Sequence, residues 1–410
     1  MPDFDALRED FPILSQQIND RPLIYLDNAA TTQVPRQVLE RLARHYRNDN
    51  ANVHRGIHTL SERSTGAFES ARAAVKRFLG GGTDSEVVFT SGTTEAVNLA
   101  ASGLAHRLSP GDRVIVTVLE HHANLLPWQR VCRERGAALL VLPCPDGEPD
   151  TQQYRRWLDE GGVKIVAAAQ VSNLTGTVLP LRELSDAAHA HGALFLADGA
   201  QGLRHETASV EELGCDFYCF SGHKLCAPTG IGALWGRRPA MELLAPWRLG
   251  GGMVDRVSEQ DFTCAGLPAR LEAGTPNYAG AIALAAAMDY LTAVGREAVA
   301  AREAELTAYA ERRLARVPGL RILGRPKRRA GAVSFTLDGV HPYDAASVLD
   351  KLGVALRSGT HCAQPALASF GLKAALRLSL AFYNTFEELD AAGDAVETTT
   401  EMFRKWTNGI

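Results

Sequence analysis

Two ionisable side chains follow short apolar stretches of this chain, one directly and one after a short turn. "ALFLAD" ends in Asp198, and "FYCFSGHK" ends in Lys224, with Ser221 and His223 beside the lysine. Asp198 could cap a helix or form a structural ion pair, but a carboxylate at the end of a buried strand also suits the protonated ring nitrogen of a pyridoxal cofactor. Lys224 could be an exposed turn residue, but it could also form a Schiff base at a sheet edge. The presence of both patterns in one chain favours the pyridoxal alternative.

The stretch "VVFTSGTTEAVN" predicts a strand, a turn of small residues and the start of a helix. Thr93 and Thr94 offer hydroxyl groups there, and a helix N-terminus offers free N–H groups and the positive end of its dipole, so the turn could hold a phosphate. The alternative is that Thr93 only caps the helix. The pattern is neither a G-x-G-x-x-G nor a Walker loop, which disfavours a dinucleotide or a nucleoside triphosphate.

A histidine pair follows another predicted strand in "VIVTVLEHHANLLPW". His121 could stack on a planar cofactor and move protons, or it could cap the next helix. His122 is less well placed, because neighbouring residues in a turn rarely point the same way. The sequence therefore favours His121 over His122 for a role in the site.

One cysteine lies among turn-forming residues, in "RSGTHCAQP". Cys362 could be a small buried hydrophobe. It could also be a nucleophile, which requires a thiolate that is partly exposed and near positive charge. Arg357 and His361 are candidates to supply that charge, and the catalytic interpretation is preferred once Lys224 and Asp198 are considered with it.

The elements that must position these residues alternate along the chain. From about Glu86 to Trp235, short apolar strands alternate with helical patterns, which predicts a mainly parallel sheet covered on both faces. Ligands of such sheets bind at the carboxyl ends of the strands, where the candidate residues lie. After about Gly280, alanine-rich helices and further strands predict a second, α+β domain.

Bulk properties exclude several classes of function. The 410 residues favour two domains, and a net charge of -4 gives no general attraction to nucleic acid or to an anionic membrane. No apolar run is long enough to span a bilayer, and the acidic N-terminus does not read as a signal peptide. Seven scattered cysteines favour reduced thiols in a cytoplasmic protein. Cys215, Cys219 and Cys226 are a weak metal pattern, so no metal site is predicted.

Long ordered motifs run through almost the whole chain: "YLDNAATTQVP", "NVHRGIHTLS", "SGTTEAVN", "EHHANLLPW", "SNLTGT", "DGAQG", "SGHKLCAPTGIG", "EAGTPN", "RSGTHCAQP" and "ALRLSLAFYNT". Together they resemble the cysteine desulfurases of the class V aminotransferases, most of all the SufS/CsdA group. The resemblance implies the α/β fold of fold-type I pyridoxal phosphate enzymes, with a mainly parallel seven-stranded sheet. It implies an N-terminal segment (1–22) that packs on the small domain, a large cofactor-binding domain (23–285) and a smaller α+β domain (286–410) that carries the Cys362 loop.

The resemblance also implies a role for each matching residue. Lys224 would bond pyridoxal 5'-phosphate, Asp198 would pair with the pyridinium nitrogen, Gln201 would pair with the phenolic oxygen, and His121 would stack on the ring and act as the acid at the substrate sulfur. The phosphate would be held by Thr93, Thr94, Ser221, His223 and Thr275, the last reaching in from the other subunit of a homodimer. Asn173 would lie against both cofactor and substrate. The substrate site would also include Arg377, Arg357, His54 and Arg55.

The implied reaction converts L-cysteine to L-alanine and leaves the sulfur on Cys362 as a persulfide. The sulfur would supply iron–sulfur cluster assembly through an acceptor protein of the SufE or SufU type. A selenocysteine lyase or a related pyridoxal phosphate β-lyase is the nearest alternative, followed by an aminotransferase. A non-catalytic sulfur-transfer scaffold is a more distant alternative, which has no use for Lys224.

Overall fold

A computed structural model describes residues 2–407 of the chain. Its strands are, in chain order, β1 Gln17–Ile18, β2 Arg21–Pro22, β3 Ile24–Tyr25, β4 Ser85–Thr90, β5 Arg113–Thr117, β6 Ala138–Leu142, β7 Val163–Ala169, β8 Leu194–Asp198, β9 Phe217–Ser221, β10 Gly232–Arg237, β11 Val254–Val257, β12 Phe262–Cys264, β13 Leu320–Ile322, β14 Ala332–Leu337, β15 Val354–Ala355, β16 Arg357–Gly359 and β17 Ala375–Ser379.

The α-helices are α1 Phe4–Arg8, α2 Arg36–Asn48, α3 Thr59–Phe78, α4 Thr93–Leu104, α5 Leu126–Arg135, α6 Thr151–Asp159, α7 Leu181–Ala190, α8 Gly202–His205, α9 Val210–Leu213, α10 Arg238–Glu242, α11 Tyr278–Val294, α12 Arg296–Leu314, α13 Pro342–Lys351, α14 Gln364–Ser369 and α15 Phe386–Thr407. Short 3₁₀ turns span Pro12–Ser15, Ala105–Arg107, His122–Asn124, Pro145–Gly147, Gly222–Lys224 and Ala269–Leu271.

The largest sheet has seven strands in the order β4-β10-β9-β8-β7-β5-β6. All neighbouring strands run parallel except β10, which is antiparallel to both β4 and β9. The predicted mainly parallel seven-stranded sheet is therefore confirmed.

Strand β7 shows why the central strands are mostly apolar. Val166 and Ala168 belong to the hydrophobic core on one face, whereas Ile165 and Ala167 belong to the core on the other face. Successive side chains of a strand point to opposite faces, so the part of β7 that is buried on both faces, Ile165–Ala169, has no polar positions. This packing fixes the carboxyl ends of the strands, where the candidate residues lie.

A smaller antiparallel sheet in the order β13-β14-β17-β16 lies in the C-terminal part of the chain. A separate core, formed by residues such as Leu306, Phe335 and Val396, packs its helices α12 and α15 against it. Strand β3, near the N-terminus, pairs with β15 and so ties the start of the chain to this region.

The N-terminal segment contacts the C-terminal region directly. Arg8 donates a hydrogen bond to the carbonyl oxygen of Tyr383 at 2.8 Å and pairs with Glu388 at 2.6 Å. The division into 1–22, 23–285 and 286–410 stays a prediction. Its boundary at 285/286 lies within α11, and residue 1 and residues 408–410 lie outside the described part of the chain.

Within residues 2–407, no single helix is long and apolar enough to cross a membrane. The pair α11 and α12 reaches that length and composition only when both helices are taken together, and the pair is bent by 79°.

All seven cysteines are free thiols. Cys215, Cys219 and Cys226 are buried, and burial raises the pKa of each; that of Cys226 reaches about 12. Among residues 2–407, no group of three or more His, Cys, Asp or Glu side chains could hold a metal ion. The three cysteines therefore pack as small hydrophobic side chains.

Candidate active site

The carboxyl ends of the central strands open into one cavity of about 430 Å³, which the C-terminal region closes from the opposite side. Most of the residues singled out in the sequence line it. These are Thr93, Thr94, His121, Asn173, Asp198, Gln201, Ser221, His223, Lys224, Arg357, Cys362 and Arg377.

Lys224 and Asp198 face this cavity from neighbouring strands. Lys224 ends the 3₁₀ turn after β9, and Asp198 is the last residue of β8. Burial lowers the pKa of Lys224 to about 8, although the Asp198 carboxylate opposes that shift. Burial likewise raises the pKa of Asp198. The Ala200 N–H donates to Asp198 Oδ1 at 2.9 Å, so this carboxylate stabilises its own turn and still lines the cavity.

The turn between β4 and α4 forms a cradle suited to an anion. Gly92 precedes the helix with φ 150°, and a Cβ atom there would lie 3.0 Å from Ser221 Oγ. The Thr93 N–H donates to Ser221 Oγ at 2.8 Å, and the two hydroxyl oxygens are 2.9 Å apart. Gly232 of β10 lies between β4 and β9, which lead to these two residues, and a Cβ atom at Gly232 would come within 2.6 Å of Gly92 Cα. The helix N-terminus and two hydroxyl groups thus meet at one point.

His121 satisfies both interpretations of its position. Its Nδ1 accepts a hydrogen bond from the Ala123 N–H at 3.0 Å, which caps the following 3₁₀ turn, and its ring also lines the cavity. Burial, helped by the positive charge of Lys224, lowers the pKa of His121 to about 3. The ring is therefore neutral at pH 7, with its hydrogen on Nε2.

Glu120, a residue that the sequence analysis did not single out, ties the segment before His121 to neighbouring elements. Its carboxylate is buried and accepts hydrogen bonds from the Thr117 hydroxyl at 2.5 Å and from Asn124 Nδ2 at 2.6 Å. It also accepts one from the Ala169 N–H at 3.1 Å, which links the ends of β5 and β7. Burial raises the pKa of Glu120 to about 7, and these donors oppose that shift.

Asp27 is a second residue that the sequence analysis missed. Its carboxylate accepts hydrogen bonds from Arg357 Nε at 3.0 and 3.1 Å and from Arg377 NH2 at 3.2 Å. Arg377 is buried and also donates to the Asn173 carbonyl oxygen at 2.9 Å. One carboxylate therefore orients both cavity arginines. Asp27 lies within the motif "YLDNAATT", so its presence in a long ordered motif was the available signal.

Cys362 lies exposed on a turn that the large sheet contacts from two sides. Asn173 Nδ2 donates to the His361 carbonyl oxygen at 2.7 Å, and the His122 N–H donates to the Cys362 carbonyl oxygen at 2.8 Å. The expectation that His361 supplies positive charge is wrong. Burial, with the charge of Arg377, lowers the pKa of His361 to about 4, and its Nε2–H is directed at the Ala375 carbonyl oxygen. Arg357 remains as a nearby charge on the cavity wall.

Three predicted site residues do not line this cavity. Thr275 lies in a neighbouring cleft with Arg248 and Asn277. His54 is exposed and pairs with Glu69 at 3.0 Å, and Arg55 is exposed beside it. Their proposed roles in the site stay predictions.

Comparison with known proteins identifies the family to which this chain belongs. The family described as Aminotransferase class-V matches residues 24–392. The chain belongs to this family. A cysteine desulfurase of Synechococcus elongatus is 45% identical over 96% of this chain, and a probable cysteine desulfurase of Halalkalibacterium halodurans is 45% identical over 96% of this chain and 97% of its own length. The chain spans only 63% of the Synechococcus relative.

A solved structure agrees with these relatives. The cysteine desulfurase CsdA of Escherichia coli, described in an S-sulfonic acid form, superposes with a TM-score of 0.88 at 39% identity, covering 98% of this chain and 99% of that one. The resemblance to the cysteine desulfurases of the class-V family, and the fold that it implied, are thereby confirmed.

Class-V aminotransferases depend on pyridoxal 5'-phosphate, and the residues of the cavity fit that group. Lys224 offers an amine whose pKa is lowered toward neutrality, and Asp198 has one oxygen that accepts no hydrogen bond from the described residues. Asn173 also lines the cavity, and its buried Oδ1 accepts no hydrogen bond from residues 2–407. The cradle of Thr93 and Ser221 suits a phosphate. Unpaired polar atoms that face one cavity are expected where a polar ligand completes the site.

Proposed function

We propose that this protein is a pyridoxal phosphate-dependent cysteine desulfurase that converts L-cysteine to L-alanine and keeps the sulfur on Cys362. One observation carries the proposal. The exposed thiol of Cys362 and the amine of Lys224 line the same cavity, together with two arginines that could bind the substrate carboxylate. An aminotransferase has no need of a thiol at that place.

Each side chain has a separate task in this proposal. The cofactor, when bound, supplies an electron sink that stabilises negative charge at the substrate Cα. Lys224 would hold the cofactor and then remove the Cα proton, which requires the neutral amine that a pKa of about 8 makes available. Asp198 would keep the ring nitrogen protonated. Arg377 and Arg357, oriented by Asp27, would bind the carboxylate of L-cysteine.

The sulfur step needs no external oxidant. The Cys362 thiolate forms a bond to the substrate sulfur while the substrate Cβ–S bond breaks. The electron pair of the broken bond remains on the three-carbon product, which gains protons and leaves as L-alanine. One cysteine and one thiol thus give one alanine and one persulfide. His121, which is neutral at pH 7, would donate its Nε2–H toward the substrate sulfur or its product rather than act as an imidazolium acid.

The test compares two exposed thiols. Cys362→Ser should lower alanine formation from L-cysteine by about a hundredfold or more and abolish the persulfide detected by mass spectrometry. Cys264→Ser, which changes the other exposed cysteine, should leave both unchanged.

Unchanged cysteine turnover in Cys362→Ser would show that the persulfide role is wrong. Turnover of selenocysteine alone in that variant would favour a selenocysteine lyase, and sulfide release would favour a β-lyase. A keto acid product would indicate an aminotransferase. A protein that binds no cofactor and forms none of these products would be a scaffold.

We further propose that the enzyme is a homodimer in which Thr275, His54 and Arg55 complete the site of the neighbouring copy. Two observations support this proposal. The three residues lie outside the cavity of their own chain, and Ile57, close to His54 and Arg55 in sequence, is 96% exposed. Sedimentation should give a dimer, and Thr275→Ala should weaken cofactor binding without changing that state. Dimers with unchanged cofactor affinity would contradict the role of Thr275.

Two further proposals concern the protein that accepts the sulfur and the cellular location of the enzyme. The general role of the family is iron–sulfur supply, and we propose an acceptor protein of the SufE or SufU type. We also propose a cytoplasmic location, which the seven free thiols support. Transfer of labelled sulfur from Cys362 to candidate acceptors tests the first proposal, and cell fractionation tests the second.

A further inference from the structure

The thiol of Cys362 is carried by a turn whose conformation its own residues do not favour. The Ala363 N–H donates to the Thr360 carbonyl oxygen at 2.9 Å, and the two central residues, His361 and Cys362, have φ of 52° and 51°. Two positive φ angles inside such a turn are the pattern of type I′, which strongly prefers Asn-Gly at these positions. Residues with larger side chains persist there only when surrounding contacts hold them.

His122 supplies contacts on both sides of the thiol-bearing residue. Its N–H donates to the Cys362 carbonyl oxygen at 2.8 Å, and its ring Nε2 accepts a hydrogen bond from the Gln364 N–H at 3.3 Å. The His122 residue itself starts the 3₁₀ turn His122–Asn124, and the buried Glu120 carboxylate binds Asn124 in that turn. The contacts therefore run from the rigid end of β5 to the turn that presents the thiol.

From these contacts we propose that His122 is a positioning residue for Cys362, holding the turn so that the thiol faces the substrate site. The proposal rests on the cysteine desulfurase function proposed above. The ring can accept the Gln364 N–H only while Nε2 carries no proton, and burial lowers the pKa of His122, which keeps the ring neutral at pH 7. His121 would thus face the cofactor, and its neighbour His122 would position the nucleophile Cys362.

Three variants test the role of the ring. His122→Leu removes the acceptor, and His122→Gln retains one at a similar reach. His341→Leu is the matched control, because His341 also accepts a main-chain N–H at 3.3 Å, from Tyr343, in the exposed start of α13.

His122→Leu should lower kcat for alanine and persulfide formation about tenfold, the kind of loss that follows when a reacting group is misplaced, with KM for L-cysteine changed less than threefold. The visible absorbance of the bound cofactor should match that of the wild type. His122→Gln should recover kcat to within about threefold, and His341→Leu should behave as the wild type.

A second measurement does not depend on turnover. The rate at which iodoacetamide alkylates Cys362, read by peptide mass spectrometry in cofactor-free protein, should change at least about threefold in His122→Leu and stay unchanged in His122→Gln and His341→Leu.

Equal alkylation rates and equal kcat in His122→Leu and His341→Leu would overturn the proposal. Wild-type protein that forms no alanine would refute the proposed function, while the alkylation rates would still decide whether His122 positions the thiol. If His122→Leu fails to fold, a His122→Asn variant, whose shorter acceptor cannot reach Gln364, replaces it with the same two expected outcomes.

Discussion

The two sides of the cavity are built in different ways. The side that we call the sheet wall consists of residues at the ends of the central strands, namely Thr93, His121, Asp198, Ser221 and Lys224. The side that we call the loop wall consists of Arg357, Cys362 and Arg377, which come from the antiparallel sheet and the turn after it. Packing on both faces of the large sheet fixes the first wall, whereas a few polar contacts between distant segments fix the second.

This difference separates binding of the cofactor from positioning of the reactants. The sheet wall holds buried ionisable groups with shifted pKa values, such as Lys224 and Asp198, because apolar strands surround them. The loop wall depends on Asp27 and His122, whose partners lie more than 200 residues away in sequence. Changes in the sheet wall should therefore abolish the chemistry, whereas changes in the loop wall other than loss of the Cys362 thiol itself should weaken it.

The largest expected effect is on the sheet wall. Lys224→Ala should remove the covalent attachment of the cofactor and lower alanine formation on the order of a thousandfold or more, because no other amine lines the cavity among the described residues. Borohydride reduction followed by mass spectrometry measures the attachment. Lys164→Ala, at an exposed lysine, is the control and should change neither value. A reducible adduct that survives in Lys224→Ala would show that another residue holds the cofactor.

The pH dependence of cofactor capture should follow the buried amine. The neutral amine attacks the aldehyde, so the capture rate of cofactor-free protein should rise about tenfold per pH unit below pH 8 and level off above it. Stopped-flow absorbance at a series of pH values measures this rate. A rate that keeps rising to about pH 10 would mean that burial does not lower the pKa of Lys224.

On the loop wall, Asp27→Asn should raise KM for L-cysteine about tenfold and change kcat less. The amide cannot neutralise Arg357 and Arg377, and buried Arg377 loses its only carboxylate partner among the described residues. Steady-state kinetics measures the change. Asp186→Asn breaks an exposed pair with Arg182 and should have no measurable effect. A loss confined to kcat in Asp27→Asn would contradict a role in substrate binding.

The smallest effect concerns the free energy of unfolding. A carboxyl group whose folded pKa is raised, as that of Glu120 is to about 7, destabilises the fold increasingly as pH rises from its unfolded value toward 7. Glu120→Gln should therefore flatten the decrease in stability between pH 5 and pH 8 by about 1–3 kcal/mol, measured by urea unfolding of cofactor-free protein. Glu134→Gln, at an exposed glutamate, should show the same pH dependence of the free energy of unfolding as the wild type. Parallel curves for Glu120→Gln and the wild type would mean that Glu120 does not titrate in this range.

The sheet wall could be predicted from the sequence and the loop wall only in part. Asp198 ends an apolar run and Lys224 follows another by one short turn, and parallel strands bring such ends to one edge. Nothing local in "LRSGTHCAQP" indicates that Asp27 pairs with Arg357 or that His122 contacts Cys362, because these contacts arise when the two sheets pack together. The charge of His361 was wrongly predicted for the same reason, since its burial depends on that packing.

The antiparallel strand β10 has a consequence for the cradle formed by Thr93 and Ser221. Strands β4 and β9 are not neighbours, so their backbones lie about 10 Å apart, yet the hydroxyl groups of Thr93 and Ser221 touch. They touch because residue 232, on the strand between them, is a glycine that leaves no bulk in the gap. A single methyl group at position 232 would push the two loops apart, so the hydroxyl groups of Thr93 and Ser221 would no longer meet, although both residues would still be present.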